Sequence, residues 1–323
     1  MMPTYLETVA EVYAEAAVQP DAKLCCTQSP VWHLPDLVIP PIMLEMNYGC
    51  GSTVDPRDLR AGDTILYVGV GGGLEALQFA YFARRPGAVI AVDPVAAMRD
   101  RALANFAEAA RLNPWFRPDF ISLLDGSALA LPVPSATATL LAQNCLFNVF
   151  TAADLRRALA EVARVLKPGG LFVTSDPITP VPLPSELTVD ATLRARCVAG
   201  CQTLPDYLAV LTAAGFGRIA VRARFPYRYL DPSEYPMLTE AVLLESVELA
   251  AYKTPQTLDG PAIFTGRTAI YTGPEKVLDD GQGTTLPRGI PVQISDAAAI
   301  RLGRSKSIVV TPPTWHCRGA GCC

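Results

Sequence analysis

The chain has 323 residues, of which 50% are hydrophobic and 18% charged, with a formal net charge of -4 from 27 basic and 31 acidic residues. That length and composition suffice for a catalytic domain plus a smaller unit, and they exclude a disordered chain. No basic stripe marks a nucleic-acid binder, no apolar run reaches bilayer length, and the acidic start from Met1 to Glu15 lacks a signal peptide's features, so a cytoplasmic protein with no nucleic-acid or membrane partner is expected.

In chain order, Leu6, Val9, Val12 and Tyr13 form an apolar stripe that predicts a helix over 4–17. Residues 19–63 are irregular and rich in Pro and Gly, broken by a short helix at 41–45; so long an irregular stretch is often functional. Strands are predicted at 64–68, 88–92, 120–124, 138–142 and 171–175, with helices at 74–82, 95–112 and 152–165 between them. This alternation implies an α/β fold, a parallel Rossmann-like sheet with helices on both faces. Beyond a Pro-rich linker at 180–184, helices are expected around 186–200 and 204–214, then a strand at 219–224. Short alternating runs over 240–310, among them 247–252, suggest a smaller mixed α+β unit. The expected organisation is therefore a cysteine-bearing N-terminal segment (1–62), a cofactor-binding core (63–180), an acceptor-binding C-terminal region (181–310) and a mobile cysteine-rich tail (311–323).

Ligands of an open parallel sheet bind beyond the carboxyl ends of its strands, where strand order reverses. The loop Gly69-Val70-Gly71-Gly72-Gly73 follows the first strand, and its glycines permit a sharp turn and close approach of a ligand. Asp93 ends the second strand about twenty residues later, where a carboxylate can accept both hydroxyls of a ribose. Asp125, Gly126 and Ser127 end the third strand and are placed to meet an adenine edge. A glycine loop alone is weak, since several nucleotide cofactors use one. The run Arg164-Val165-Leu166-Lys167-Pro168-Gly169-Gly170, however, resembles a segment frequent in class I methyltransferases, which implies S-adenosylmethionine as cofactor.

Nine cysteines stand out in a chain expected in the reducing cytosol. Cys145, in Ala142-Gln143-Asn144-Cys145-Leu146-Phe147, reads as a small buried hydrophobe, as free cysteines usually are. Cys317, Cys322 and Cys323 do not, because chain ends are seldom core. The two histidines, His33 and His316, sit outside the sheet, so thiolates are the reactive groups on offer, and thiolates favour soft ligands.

At these cysteines the chain resembles the S-adenosylmethionine-dependent arsenite methyltransferases. Lys23-Leu24-Cys25-Cys26 is similar to their N-terminal cysteine pair, Asn47-Tyr48-Gly49-Cys50-Gly51 to their Tyr-Tyr-Gly-Cys-Gly, Gln143-Asn144-Cys145-Leu146-Phe147-Asn148 to their Ser-Asn-Cys-Val-Ile-Asn, and Arg196-Cys197-Val198-Ala199-Gly200 to their Glu-Cys-Ile-Ala-Gly. The resemblance covers roughly residues 10–300. It implies arsenite, or a methylated trivalent arsenical, as acceptor, and a role in arsenic detoxification. Cys50 and Cys197 would be arsenic ligands or relay thiols, Cys25 or Cys26 would join a disulfide relay, and thioredoxin or glutathione would be the reductant. Asn144 would join Gly69, Gly71, Gly73, Asp93, Asp125, Gly126 and Ser127 at the cofactor. Cys145 is expected to be mainly structural. Two departures stand out. Ser295 takes the place of a further family thiol, which Cys201, one helical turn from Cys197, or the tail cysteines would replace. Tyr67 takes the place of the family's acidic residue before the first glycine. A methyltransferase for organic thiols or other small molecules, and a non-catalytic thiol-rich metalloid binder, are the alternatives.

Overall fold

A computed structural model describes residues 4–21, 24, 31–257 and 260–314. Helix α1 (Tyr5–Val18) begins with a capping box in which the Thr4 hydroxyl accepts from the Glu7 N–H and the Glu7 carboxylate accepts from the Thr4 N–H. After the short α2 (Pro41–Glu45), strands and helices alternate as expected: β1 (Ile65–Val68), α3 (Leu74–Ala83), β2 (Val89–Asp93), α4 (Ala96–Leu112), β3 (Ile121–Asp125), β4 (Ala138–Asn144), α5 (Ala152–Val165) and β5 (Leu166–Ile178). Then come α6 (Ser185–Thr188), α7 (Ala191–Ala195), α8 (Leu204–Ala213), β6 (Arg218–Leu230), β7 (Val242–Tyr252) and β8 (Ala262–Phe264). The chain continues through β9 (Thr268–Tyr271), β10 (Val277–Asp279), β11 (Thr285–Pro287), β12 (Val292–Gln293), α9 (Asp296–Leu302) and β13 (Ile308–Val310).

One eight-stranded sheet has the order β3-β2-β1-β4-β5-β7-β6-β8. The first five strands are mutually parallel, β7 runs antiparallel to both β5 and β6, and β8 pairs parallel with β6. Strand order reverses between β1 and β4, so the ligand crevice opens at their carboxyl ends, around Val68 and Asn144. Side chains alternate between two cores: on β5, Leu171 and Val173 join the core under α3 and α4, and Phe172 joins the core under α5 and α8.

The sheet extends further than the sequence suggests. Residues 247–252, expected in the small C-terminal unit, form the end of β7 inside the main sheet. They pair on both sides and are buried from Val247 to Ala251, the pattern of a central strand rather than an edge. The main sheet therefore runs to Phe264. The helix expected over 186–200 is instead two short helices, because the Asp190 side chain caps α7 by accepting from the Leu193 N–H at 2.8 Å, and Cys197 then turns the chain with φ 55. The small unit that remains packs β9, β11, β13 and α9 around Tyr271, Leu286 and Leu302.

Candidate active site

A cleft of ≈ 800 Å³, its open mouth included, lies at the switch point. Gly69, Gly71, Asp93, Asn144 and Cys145 are among its walls, and Val9 and Tyr13 of α1 cover it. The glycine loop adopts left-handed backbone at Gly69 (φ 82), Gly71 (φ 50) and Gly73 (φ 88), and a Cβ on Gly71 would meet nothing within 4 Å, leaving that wall open to a ligand. Asp93 is buried at the end of β2. Burial pushes its carboxyl up to about 6, although the Val95, Gly71 and Val70 N–H groups and Arg99 pull the other way. A shaped cleft, an open glycine wall and a buried carboxylate at the end of β2 fit the adenosyl part of S-adenosylmethionine.

Residues 47–58 form a strap pressed against the carboxyl ends of β4 and β5. Asn144 clamps it: its Oδ1 accepts from the Cys50 N–H at 2.9 Å and its Nδ2 donates to the Gly51 carbonyl at 2.8 Å. The glycine before Cys50 is a steric requirement, since a Cβ on Gly49 would lie 2.5 Å from Asn144 Nδ2. Further pins are the Glu248 carboxylate, accepting from the Ser52 N–H at 2.9 Å, and the half-buried ion pair of Arg222 with Asp58.

The strap delivers Cys50 to a group of buried thiols. Cys50 Sγ lies 3.5 Å from Ser175 Oγ, and the Ser175 carbonyl accepts from the Cys145 N–H at 2.7 Å. Cys197 Sγ donates to the Cys145 carbonyl at 2.8 Å, Cys201 Sγ donates to the Cys197 carbonyl at 3.3 Å, and Cys145 Sγ is 3.8 Å from Tyr227 Oη. All four thiols are buried. Burial, then the neighbouring Cys197 and Cys50, hold the Cys201 thiol well above its ordinary range, so it is a neutral S–H. Cys145 (φ 59) and Cys197 (φ 55) both have left-handed backbone, which costs a non-glycine residue energy and tends to mark functional positions.

Beside these thiols, Asp176 lies within the buried stretch of β5 and accepts from Thr174, Gln143 and, at 2.6 Å, Tyr207 Oη. Burial outweighs these bonds and pushes its carboxyl up to about 6 from 3.8. A folded-state value above the unfolded one means that its stabilising contribution is complete below about pH 4 and is lost as pH rises through about 6. Asp176→Asn should therefore gain stability relative to the parent between about pH 5 and about pH 8, by on the order of 1–3 kcal/mol in urea melts. A difference independent of pH would show that Asp176 does not ionise in that window.

Of the residues expected at the cofactor, Gly69, Gly71, Asp93 and Asn144 line the cleft, and Gly73 starts α3 just behind it. Asp125, Gly126 and Ser127 lie at the end of β3 outside the cleft walls, with Asp125 in an ion pair to Arg99 at 2.9 Å. Of the thiols, Cys50, Cys197 and Cys201 come together. Cys25, Cys26, Cys317, Cys322 and Cys323 lie outside the described residues, as does most of the expected tail. Ser295 caps α9, accepting from the Ala298 N–H at 3.2 Å within the small unit, a position that favours serine for its own reason. Glu75, Asp176 and Tyr227 escaped the sequence reading. The signal for the first two was a lone acid in an apolar helix, Leu74–Ala83, and another ending the apolar run before Asp176.

Residues 66–174 match the model of a family described as a methyltransferase domain. The chain is 30% identical over 177 residues to the arsenite methyltransferase of Halobacterium salinarum, covering 55% of this chain and 43% of that protein. It is 30% identical over 199 residues to the arsenite methyltransferase of Aquipseudomonas alcaligenes, covering 59% and 55% respectively. The chain thus spans about half the length of the curated relatives it matches. The crystal structure of an arsenic(III) S-adenosylmethionine methyltransferase from Chlamydomonas reinhardtii superposes with a TM-score of 0.64 at 22% identity, covering 88% of this chain and 96% of that one, which shows a shared fold. No helix among the described residues is long and apolar enough to cross a membrane. Strand order and the solved structure show a class I methyltransferase fold, in which residues 66–174 match a methyltransferase domain and part of the chain is similar to two arsenite methyltransferases.

Proposed function

We propose that this protein transfers a methyl group from S-adenosylmethionine to trivalent arsenic held by its own thiols. The observation that carries the reading is the group of buried cysteines at the carboxyl ends of β4 and β5, with Cys145 in the wall of the cofactor cleft. Bound in the cleft, S-adenosylmethionine supplies an electrophilic methyl group on a sulfonium. Asp93 accepts hydrogen bonds from the ribose, and the glycine loop lets the cofactor lie against the backbone. Cys50 and Cys197 bind the acceptor, with Cys145 facing the cofactor.

Soft thiolate sulfur suits a soft metalloid, and oxygen ligands do not. The thiols need not be ionised beforehand, because each As–S bond forms as the S–H proton leaves with an arsenic hydroxide as water. That fits a site where burial keeps Cys201 neutral. Among the described residues no three Cys, His, Asp or Glu side chains form a ready-made ion site, so a third sulfur on arsenic would come from a thiol such as glutathione. The cofactor would supply its methyl group to the arsenic lone pair, and holding both partners in one site, with Cys50 and Cys197 on the acceptor and Asp93 and the glycine loop on the cofactor, would remove much of the barrier. The methylated product is formally pentavalent. Two thiols closing to a disulfide supply the two electrons that return it to the trivalent state, and thioredoxin or glutathione then reopens the disulfide.

The test is incubation with arsenite, glutathione and methyl-labelled S-adenosylmethionine, followed by separation of the arsenic species. Label in mono- or dimethylated arsenic is the expected result. Label only in the organic thiol would replace this reading with a methyltransferase for organic thiols, and cofactor binding with no methyl transfer to arsenite would replace it with one of the two alternatives, another small-molecule acceptor or a non-catalytic metalloid binder.

A further inference from the structure

Tyr67 stands next to the end of β1, where the resembled family has an acid. In the structure its Oη donates a hydrogen bond at 2.9 Å to Oε2 of Glu75, one residue into α3. Both residues line the cleft. Glu75 Oε1 also accepts from the Thr53 N–H at 2.8 Å, and Oε2 from the Thr53 hydroxyl at 2.7 Å. Glu75 is 6% exposed, the groups bonded to it, Thr53, Tyr67 and Asn144, are neutral, and burial raises its carboxyl above the ordinary range against their pull. A buried carboxylate among neutral donors is costly unless a cation joins it, and the open side here is the cleft.

The hydrogen-bond inventory fixes which cation partner is offered. A tyrosine hydroxyl has one proton to give, and Tyr67 gives it to Glu75, so its oxygen presents lone pairs to the cleft. Desolvation and the charge of Glu75 hold the phenol well above its usual range, so it stays protonated in that orientation. The negative charge has moved from β1 to α3, and the tyrosine hydroxyl transmits it.

We propose that Tyr67, polarised by Glu75, receives the ammonium group of the methionine arm of S-adenosylmethionine, in place of the acid that this chain lacks. Tyr67 is the contact, and Glu75 is a positioning residue acting through it. The inference rests on the methyltransferase reading but not on arsenic as the acceptor. The strap takes part as well: Thr53 orients Glu75, and Cys50, three residues earlier, belongs to the thiol group, so the two ends of the site share one support.

The test compares three probes by titration calorimetry on the full chain: S-adenosylhomocysteine, its deaminated analogue, and methylthioadenosine, which has no amino-acid arm. The parent should prefer S-adenosylhomocysteine over the deaminated analogue by about tenfold or more, the scale of a hydrogen bond to a charged group. Tyr67→Phe and Glu75→Gln should each remove most of that preference while leaving methylthioadenosine affinity within about twofold. Tyr67→Phe keeps the buried ring, and its methylthioadenosine affinity reports that the fold is intact. A preference unchanged in Tyr67→Phe, or all three affinities falling in parallel, overturns the proposal. A parent chain that binds none of the three overturns the cofactor reading itself and this inference with it.

Discussion

Cys197→Ser and Cys50→Ser should each reduce arsenite methylation by about a hundredfold or more while leaving S-adenosylmethionine affinity within about twofold, because a hard hydroxyl cannot replace a thiolate towards a soft metalloid. Serine is a close test at Cys197. A hydroxyl there keeps the hydrogen bond to the Cys145 carbonyl and the left-handed turn, so the main loss is the sulfur. At Cys50, serine leaves the Asn144 clamp untouched, since that clamp holds backbone atoms. Steady-state methylation beside calorimetry of the same preparations makes the comparison. Near-normal turnover in either variant removes that residue from the acceptor site. Cys145→Ser decides between packing and chemistry at the third position. A mainly structural Cys145 predicts a stability change with turnover preserved, whereas a residue of the cleft wall that faces the acceptor predicts loss of turnover at unchanged affinity.

The alternation of strands and helices was legible because it is local: apolar runs of strand length, most of them followed by a turn and a helix, leave few topologies for residues 64–175. What the sequence did not reveal is long-range. The end of β7 looks like any short alternating run until β5 and β6 flank it, and only that pairing explains why Glu248 and Ser246 are buried. At the site, Asp93 was readable from its distance to the glycine loop. Asn144 was read as a cofactor residue, and it does reach the cleft, yet its hydrogen bonds hold the strap that bears Cys50, 94 positions away in sequence. The compensation of Tyr67 by Glu75 was likewise invisible as a pair, because strand and helix positions separated by the loop meet only once α3 has packed.

Asp93→Ala is expected to weaken S-adenosylmethionine binding tenfold or more, on the order of 1.5–3 kcal/mol, because the buried carboxylate proposed to accept the ribose hydroxyls is lost. The pH profile separates this role from simple packing. Burial lifts the Asp93 carboxyl to about 6, so the ionised acceptor disappears as pH falls through that value. Affinity of the parent should then drop by up to about tenfold per pH unit below about 6, with the Asp93→Ala profile flat across the same range. Stability runs in the opposite direction. With a folded-state value raised above the ordinary 3.8, the contribution of Asp93 to folding is complete below about pH 4 and is lost as pH rises through about 6. Ionised Asp93 is thus a cost that the free protein carries at neutral pH, and on the proposed function ribose hydroxyls donating to it would relieve that cost on binding. Asp93→Asn should accordingly be at least as stable as the parent at about pH 8 and yet bind the cofactor more weakly, the pairing expected of a group retained for function. Calorimetric affinities from about pH 5 to about pH 8, beside melts of the same variants, check both halves. An affinity that ignores pH in the parent, or a variant weakened in folding and binding alike, would assign Asp93 to holding β2 against the glycine loop and move the ribose contact elsewhere in the cleft.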